Sequence, residues 1–433
     1  MATNRRNFLK TSGMAAAIAA FAAKNQVYAG ETSVLKIGQI GCGGRGCGAV
    51  ADAMSIDPNV VLTHSCDLFQ EKCEAAMANL KENVGDRIAV TPDTMYSGFD
   101  GYKKVLESDV DSVILATPQF FRPQMLLEAI KAGKHVFAEK PVAVDGAGIK
   151  MVLEATELAK QKGLNIVSGL CNRYYPGTMA CVERIKAGAI GDIIAAKANR
   201  MGGGLWARPR RETDTEMSYQ MTNWVNFCWM ASEYINDVTI HQIDVALWCM
   251  GDPTPKSAIG MGGRLARREA DTGDMYDSMA VSYEFESGQF LQANSRQIAG
   301  TWGEAATHLY GTKGQALIVN SGGRLEIFGE NAWRDTERHE FRGTQIEHKV
   351  LFDAIRSGGA TYVNNGPYMA NSTGTALMGR LAAYTGKEVT WDDMLNDVLP
   401  KPEKMDFDAL PPTLPNEKGE YKVYIPVVGW QYM

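Results

Sequence analysis

The hydrophobic pattern of the chain changes period partway along, and that change divides it in two. Residues 34–40, 60–65, 111–116, 134–138 and 165–169 are short, nearly continuous apolar runs. Runs of this length, bounded by Gly, Pro or polar residues, predict strands buried on both faces. Helical patterns at 49–54 and 123–132 lie between them, and strand–helix alternation predicts a parallel sheet with helices on its faces. Beyond Cys171 the alternation stops. A helix is predicted over 179–186, a strand region opens at 191–197, and partly alternating strands follow at 278–286, 289–295, 305–310 and 315–320. Glu286-Ser287-Gly288 and Gly311-Thr312-Lys313-Gly314 mark hairpins between them, so this half reads as an open, largely antiparallel sheet. Helices are predicted over 347–356 and 371–385. The fold class is therefore an α/β Rossmann dinucleotide-binding domain, 30–170, followed by an α+β substrate and oligomerisation domain, 171–395. A leader, 1–29, precedes them and a proline-rich tail, 396–433, follows.

The first strand runs directly into Gly41-Cys42-Gly43-Gly44-Arg45-Gly46, and a helix pattern follows. Glycine in that order permits a tight turn at Gly41, approach of a pyrophosphate at Gly43 and Gly44, and close helix–strand packing at Gly46. The helix amino terminus beside Arg45 offers unpaired amides to phosphate. Asp67 ends the second strand about 20 residues further on, where a carboxylate accepts the adenosine ribose hydroxyls. A 2′-phosphate at about 4 Å from it would be repelled by roughly 4 kcal/mol at an effective dielectric near 20. NAD is thus favoured over NADP, with Lys72 close enough to blunt the preference. Thr117-Pro118 and Glu139-Lys140-Pro141 end later strands, on the side of the sheet where ligands bind. His135 opens its strand, at the far end, and reads as structural.

Residues 235–244 add a proton-handling group. Ile240, Ile243 and Leu247 recur at helical spacing, so Asn236 or Asp237 is expected to cap a helix in which Asp237 and His241 stand one turn apart. A carboxylate beside an imidazole orients it and suits it to act as a general base. A cap beside a satisfied, partly buried histidine fits the same residues. Between 201 and 234 no period is clear, and Trp206, Trp224 and Trp229 offer flat surfaces for a sugar ring or for packing between domains.

Composition narrows these readings. Of 433 residues, 45% are hydrophobic and 22% charged, enough for two globular cores. A net charge of -6 argues against nucleic acid as a partner. Eight cysteines form no Cys-x-x-Cys pair and do not cluster with the six histidines, so buried thiols are expected and no metal site. Asn4-Arg5-Arg6-Asn7-Phe8-Leu9-Lys10, then a short apolar stretch and Val27-Tyr28-Ala29, resembles a twin-arginine export signal. It implies a mature chain released folded into the periplasm, with no stable membrane insertion.

The glycine loop, Thr117-Pro118, Glu139-Lys140-Pro141 and Asp237-x-x-x-His241 together resemble the Gfo/Idh/MocA oxidoreductase family. Its namesakes are glucose–fructose oxidoreductase and myo-inositol dehydrogenase. The resemblance runs to about Trp391. It implies that Lys140 lies between nicotinamide and substrate, that Asp237 and His241 complete the catalytic group, and that Asn172-Arg173-Tyr174 lines the substrate cleft. It further implies a carbohydrate substrate, a tightly held and internally recycled NAD, and pairing through the second sheet into a homo-oligomer. His348 falls on a helix that the family uses for packing or capping. Thr239, where many members have glycine, and Arg122, where many have histidine, depart from the pattern. Two activities follow: oxidation of a sugar or glycoside ring hydroxyl, at C3 among others, or NAD-dependent glycoside cleavage by transient C3 oxidation and elimination. The glycosidases carry a Tyr-Pro-Thr-His-Gly run that Thr239-Ile240-His241-Gln242 does not match.

Overall fold

The computed structural model describes residues 33–267 and 272–423. The twin-arginine run, the whole 1–29 leader and the closing apolar run at 424–430 lie outside the described residues. The first sheet is six-stranded: β1 (Leu35–Ile40), β2 (Val60–Asp67), β3 (Met95–Ser97), β4 (Ser112–Leu115), β5 (His135–Ala138) and β6 (Ile166–Ser168). All pairings are parallel and the strand order is β3-β2-β1-β4-β5-β6. That is the Rossmann order, with its switch point between β1 and β4. Every residue of β4 is buried, as a strand covered on both faces requires. The covering helices are α1 (Gly44–Ile56), α2 (Gln70–Val84), α3 (Gly101–Glu107), α4 (Arg122–Lys131) and α5 (Gly146–Lys162). The sequence pattern does not announce α2 or α5. Asp145 caps α5 by accepting from the Gly148 amide at 2.8 Å, and Gly163 ends it in the left-handed region.

After α6 (Pro176–Lys186) comes the second sheet's β7 (Ile193–Gly202), and then two short helices, α7 (Glu216–Thr222) and α8 (Cys228–Ala231). A π-helical turn, Ile235–Thr239, leads into α9 (Ile240–Met250). Strands β8 (Ser257–Gly263), β9 (Ser278–Glu284), β10 (Phe290–Gln297), β11 (Glu304–Gly311), β12 (Gly314–Val319), β13 (Leu325–Gly329) and β14 (Trp333–Arg334) follow. They are completed by α10 (Gly343–Arg356), α11 (Gly366–Thr385), β15 (Val389–Thr390) and α12 (Trp391–Asn396). The order is β14-β13-β12-β11-β7-β10-β9-β8-β15, antiparallel except where β10 runs parallel to β7. Alternate residues of β9 and β10 are buried, so one face is packed and the other open. The packed face meets α9 and α11, and α11 also packs on α5. One apolar core runs through both halves and takes in Leu115 and Ala138 at the carboxyl ends of β4 and β5 together with Ile235 of the π turn.

Segment 201–234, which has no period in the sequence, folds on the tail. Thr215 and Gln220 donate to the backbone oxygens of Phe407 and Thr413 at 2.6 and 2.7 Å, and Tyr421 donates to Glu216 at 2.6 Å. Met217, Tyr219, Phe227, Trp229 and Tyr421 share one buried cluster.

Candidate active site

The glycine loop has the geometry a dinucleotide needs. Gly41 sits at φ +100°, and a Cβ there would stand 2.7 Å from the Ala116 backbone. A Cβ on Gly46 would stand 2.0 Å from the Gly41 carbonyl oxygen, so only glycine lets α1 pack on β1. Gly43 and Gly44 are exposed with nothing within 4 Å of a Cβ position, which is open room beside the helix amino terminus. Asp67 accepts from the Cys42 amide at 2.8 Å and the Phe69 amide at 3.1 Å, which holds its carboxylate at the loop. A cleft opens there, lined among others by Gly41, Gly43, Asp67, Phe69, Lys72, Thr117, Pro118 and Trp224. These residues fit the ribose–pyrophosphate end of a dinucleotide.

Arg45 turns away from the open room. Its guanidinium bonds Glu139 and lies 3.3 Å from Glu347 and 3.6 Å from Asp52. It joins the glycine helix to the Glu139-Lys140-Pro141 turn, and its phosphate-facing contribution is the backbone amide. Glu139, 3% exposed, also accepts from the Lys140 amide at 3.1 Å. Arg122 is buried and donates to the carbonyls of Thr117 and Pro141, tying the ends of β4 and β5 together. Burial lowers its pKa to about 10.

From that turn, Lys140 reaches the second half of the molecule. Its Nζ donates to the Asp237 carbonyl oxygen at 2.6 Å and lies 3.8 Å from Asp237 Oδ1. Asp237 Oδ1 also accepts from Gln119 Nε2 at 2.8 Å. This corrects the expected cap. The chain is already helical at Ile235, Asn236 donates to the Ala143 carbonyl at 3.1 Å instead of capping, and no hydrogen bond joins Asp237 to His241. The wider π turn replaces the α-helical stacking that the sequence pattern assumes. Asp237 positions Lys140, and Thr239 locks the turn to the second sheet through the Ser295 hydroxyl at 2.9 Å.

His241 begins α9 with Nδ1 buried and unpartnered, which leaves Nε2 as the nitrogen able to meet a substrate. Burial holds its pKa well below the ordinary histidine value, and the charges of Lys140, Arg200 and Arg45 lower it further. The imidazole is therefore neutral near neutral pH, the state a general base needs.

The other expected substrate residues are engaged elsewhere. Arg173 is 5% exposed, bonds Asp244 at 2.7 Å and Asp252 at 2.6 Å, and lies 3.9 Å over the Tyr368 ring. Asn172 accepts from the Ser321 amide at 3.0 Å, and Tyr174 donates to Asn365 at 2.5 Å. Trp229 donates to Gln220 at 2.7 Å inside the segment's own core. Trp224 lines the dinucleotide cleft. His348 is packed on the Phe137 ring at 4.2 Å. Gln119, which holds Asp237, is a residue that sequence reasoning missed; it follows Thr117-Pro118 directly, and that adjacency is the available signal.

The model of the oxidoreductase family with an NAD-binding Rossmann fold matches residues 35–169, and the GFO/IDH/MocA C-terminal domain model matches 178–317. The chain is 27% identical over 305 residues to 2,7-anhydro-N-acetylneuraminate hydratase of Escherichia coli, covering 70% of this chain and 74% of that one. Among solved structures, aldose-aldose oxidoreductase from Caulobacter crescentus superposes with a TM-score of 0.65 at 17% identity, covering 82% of this chain and 99% of that one. The WlbA dehydrogenase from Bordetella pertussis, solved with NADH and UDP-GlcNAcA, gives 0.61 at 18% identity, over 82% and 98%. With both family models matched across most of the described chain, and with the glycine cradle and Glu139-Lys140-Pro141 turn in place, this protein belongs to the Gfo/Idh/MocA family of NAD(P)-binding oxidoreductases.

Proposed function

We propose that the enzyme oxidises a ring hydroxyl of a sugar or glycoside, C3 among the candidate positions, with a tightly held NAD. The observation that carries this reading is a lysine fixed by Asp237 beside a neutral histidine, next to the dinucleotide cradle. The nicotinamide, when bound, accepts the hydride. His241 takes the hydroxyl proton at Nε2, and the Lys140 ammonium stabilises the negative charge that grows on the substrate oxygen. Asp237 and Gln119 hold that ammonium in place. Asp67 supports NAD over NADP, because its carboxylate is where a 2′-phosphate would lie.

Tight retention is supported by the tail. Phe407 packs at a tilt against Phe69 at 5.6 Å and Phe99 at 5.3 Å between ring centroids, and both of those rings line the cleft. Retention suits an enzyme exported through the twin-arginine route into the periplasm, where free NAD is scarce. A homo-oligomer through the open face of the second sheet fits the exposed Ile259, Met261 and Phe290 there.

Denaturing the purified mature protein and identifying the released nucleotide tests the reading. NAD in near-stoichiometric amount is expected, and Phe407→Ala is expected to lose it on dialysis. NADP, or no nucleotide at all, would count against it. A second reading has support from the relative named as a hydratase, because addition of water is a reaction without net redox change. There the oxidation would be transient, the acidified C2 proton would be lost with the leaving group, and water and hydride would return. Product separation distinguishes them: a keto sugar supports the dehydrogenase, and free sugar or a hydrated product without an electron acceptor supports the alternative.

A further inference from the structure

Arg200 lies on β7 in the series Ala196–Ala198–Arg200–Gly202, and this series faces the helices: Ala196 and Ala198 are 2% and 0% exposed. In register, Arg200 stands beside Ser295 on β10 and Ala305 on β11. Ser295 holds Thr239 of the π turn at 2.9 Å, and Thr307, which pairs with Ala198, donates to the Gln242 carbonyl at 3.0 Å. The strand residues around Arg200 thus grip the chain on both sides of His241. The Tyr234 hydroxyl is 3.6 Å from where a Cβ of Gly202 would stand and lies beside the Arg200 guanidinium.

Charge balance separates Arg200 from Arg45, Lys140 and Arg173, while Arg122, which also lacks a carboxylate partner, spends its guanidinium on the carbonyls of Thr117 and Pro141. Arg45 is paired with Glu139 and Glu347, Lys140 with Asp237, and Arg173 with Asp244 and Asp252. Arg200 has no carboxylate partner among the described residues; its guanidinium hydrogen-bonds the Tyr234 hydroxyl, and its Nε is buried with no hydrogen-bond partner. A buried, unpaired guanidinium N–H is costly unless a ligand completes it. The planar fork of arginine matches a carboxylate with two parallel bonds, which a neutral hydroxyl cannot supply.

We infer that Arg200 anchors a carboxylate of the substrate, so that the site takes an acidic sugar, a uronic or ulosonic acid, in preference to a neutral one. This rests on the reading of the cleft as a sugar-oxidising site. Arg200 then sets which sugar is held and which ring hydroxyl reaches His241, while Lys140 and His241 act on that hydroxyl.

The test uses the holoenzyme with its bound dinucleotide and matched probes: glucuronate against glucose, galacturonate against galactose, and glucose 6-phosphate. Nicotinamide reduction and calorimetric binding are both read. We expect kcat/KM at least about 10-fold higher for a uronate than for its neutral partner. Arg200→Met should cut uronate kcat/KM and affinity by roughly 10- to 100-fold, the range for a lost hydrogen bond to a charged group, and Arg200→Lys should restore part of it. Neutral sugars reacting as fast as uronates, or glucose 6-phosphate being preferred, would overturn the carboxylate assignment and leave the oxidation standing. Uronate binding that depends on Arg200, without any nicotinamide reduction, would keep the anion subsite and remove the redox reading. No uronate binding by calorimetry would overturn the inference outright.

Discussion

The most discriminating prediction concerns Asp237, because sequence pattern and structure give it different partners. Asp237→Asn keeps the size of the side chain, the backbone oxygen that Lys140 contacts at 2.6 Å, and an Oδ1 able to accept from Gln119. What it removes is a charge 3.8 Å from Lys140 Nζ, where the two side chains are 19% and 12% exposed. At an effective dielectric near 20, that pair interacts by about 4 kcal/mol. Water at the cleft and the retained backbone contact reduce the expected coupling to about 0.5–3 kcal/mol, the usual range for residues in contact. The assay is a double-mutant cycle on the single-turnover rate of nicotinamide reduction, with the fastest sugar in the panel. Asp237→Asn is combined once with Lys140→Met and once with His241→Ala. Removing Asp237 should matter little once Lys140 is gone, while its effect should persist nearly in full in the His241→Ala background. A large coupling to His241 with none to Lys140 would refute the assignment and restore the paired Asp–His reading.

Three further outcomes follow from the same geometry. Gly46→Ala places a methyl 2.0 Å from the Gly41 carbonyl oxygen, so α1 must move off the loop, and the purified variant should carry little or no nucleotide by absorbance. A full complement of NAD in that variant would contradict the proposed packing. Arg173→Met strands Asp244 and Asp252 as uncompensated carboxylates and should destabilise the protein by about 3–5 kcal/mol in denaturant titrations. An unchanged midpoint would return Arg173 to the substrate cleft. His348 is buried with both ring nitrogens unpartnered, and burial lowers its pKa to about 3. The unfolded chain therefore binds a proton below about pH 6.5 that the folded one refuses, so this group's stabilising share is complete above that pH and lost as pH falls toward 3. Relative to wild type, His348→Phe should gain about 2 kcal/mol between pH 6.5 and 5, a comparison that cancels opposing groups such as Glu233, whose pKa burial raises to about 7. A difference independent of pH would show that the imidazole is hydrated.

What could be read from the sequence is what is local. The β1–glycine–α1 unit, the Thr117-Pro118 turn and the Glu139-Lys140-Pro141 turn each join neighbouring elements, so period and turn chemistry announce them. Other features depend on partners far along the chain. Arg173 looks like a cleft residue until Asp244 and Asp252 close on it from α9 and the turn beyond. Asp237 looks like a cap because the π turn is held by Ala143 and Ser295, which lie on other elements. Trp224 and Trp229 read as one aromatic platform, yet Phe120 and the 201–234 core take Trp229 while the dinucleotide cleft takes Trp224. Arg200 carries no local signal, because only the strand register sets it beside Ser295 and the turn that leads to His241.

The central claim is that a resident nicotinamide and His241 act together on a sugar hydroxyl. It is tested most directly by adding a panel of neutral and acidic sugars to the protein as purified, without added nucleotide, and following nicotinamide absorbance in wild type and His241→Ala. The account requires at least one sugar to reduce the bound nicotinamide in the wild type, with the rate falling by about 100-fold or more in the variant. Equal rates in the two proteins would contradict it, as would a panel in which no sugar changes the absorbance of protein shown to carry oxidised nucleotide.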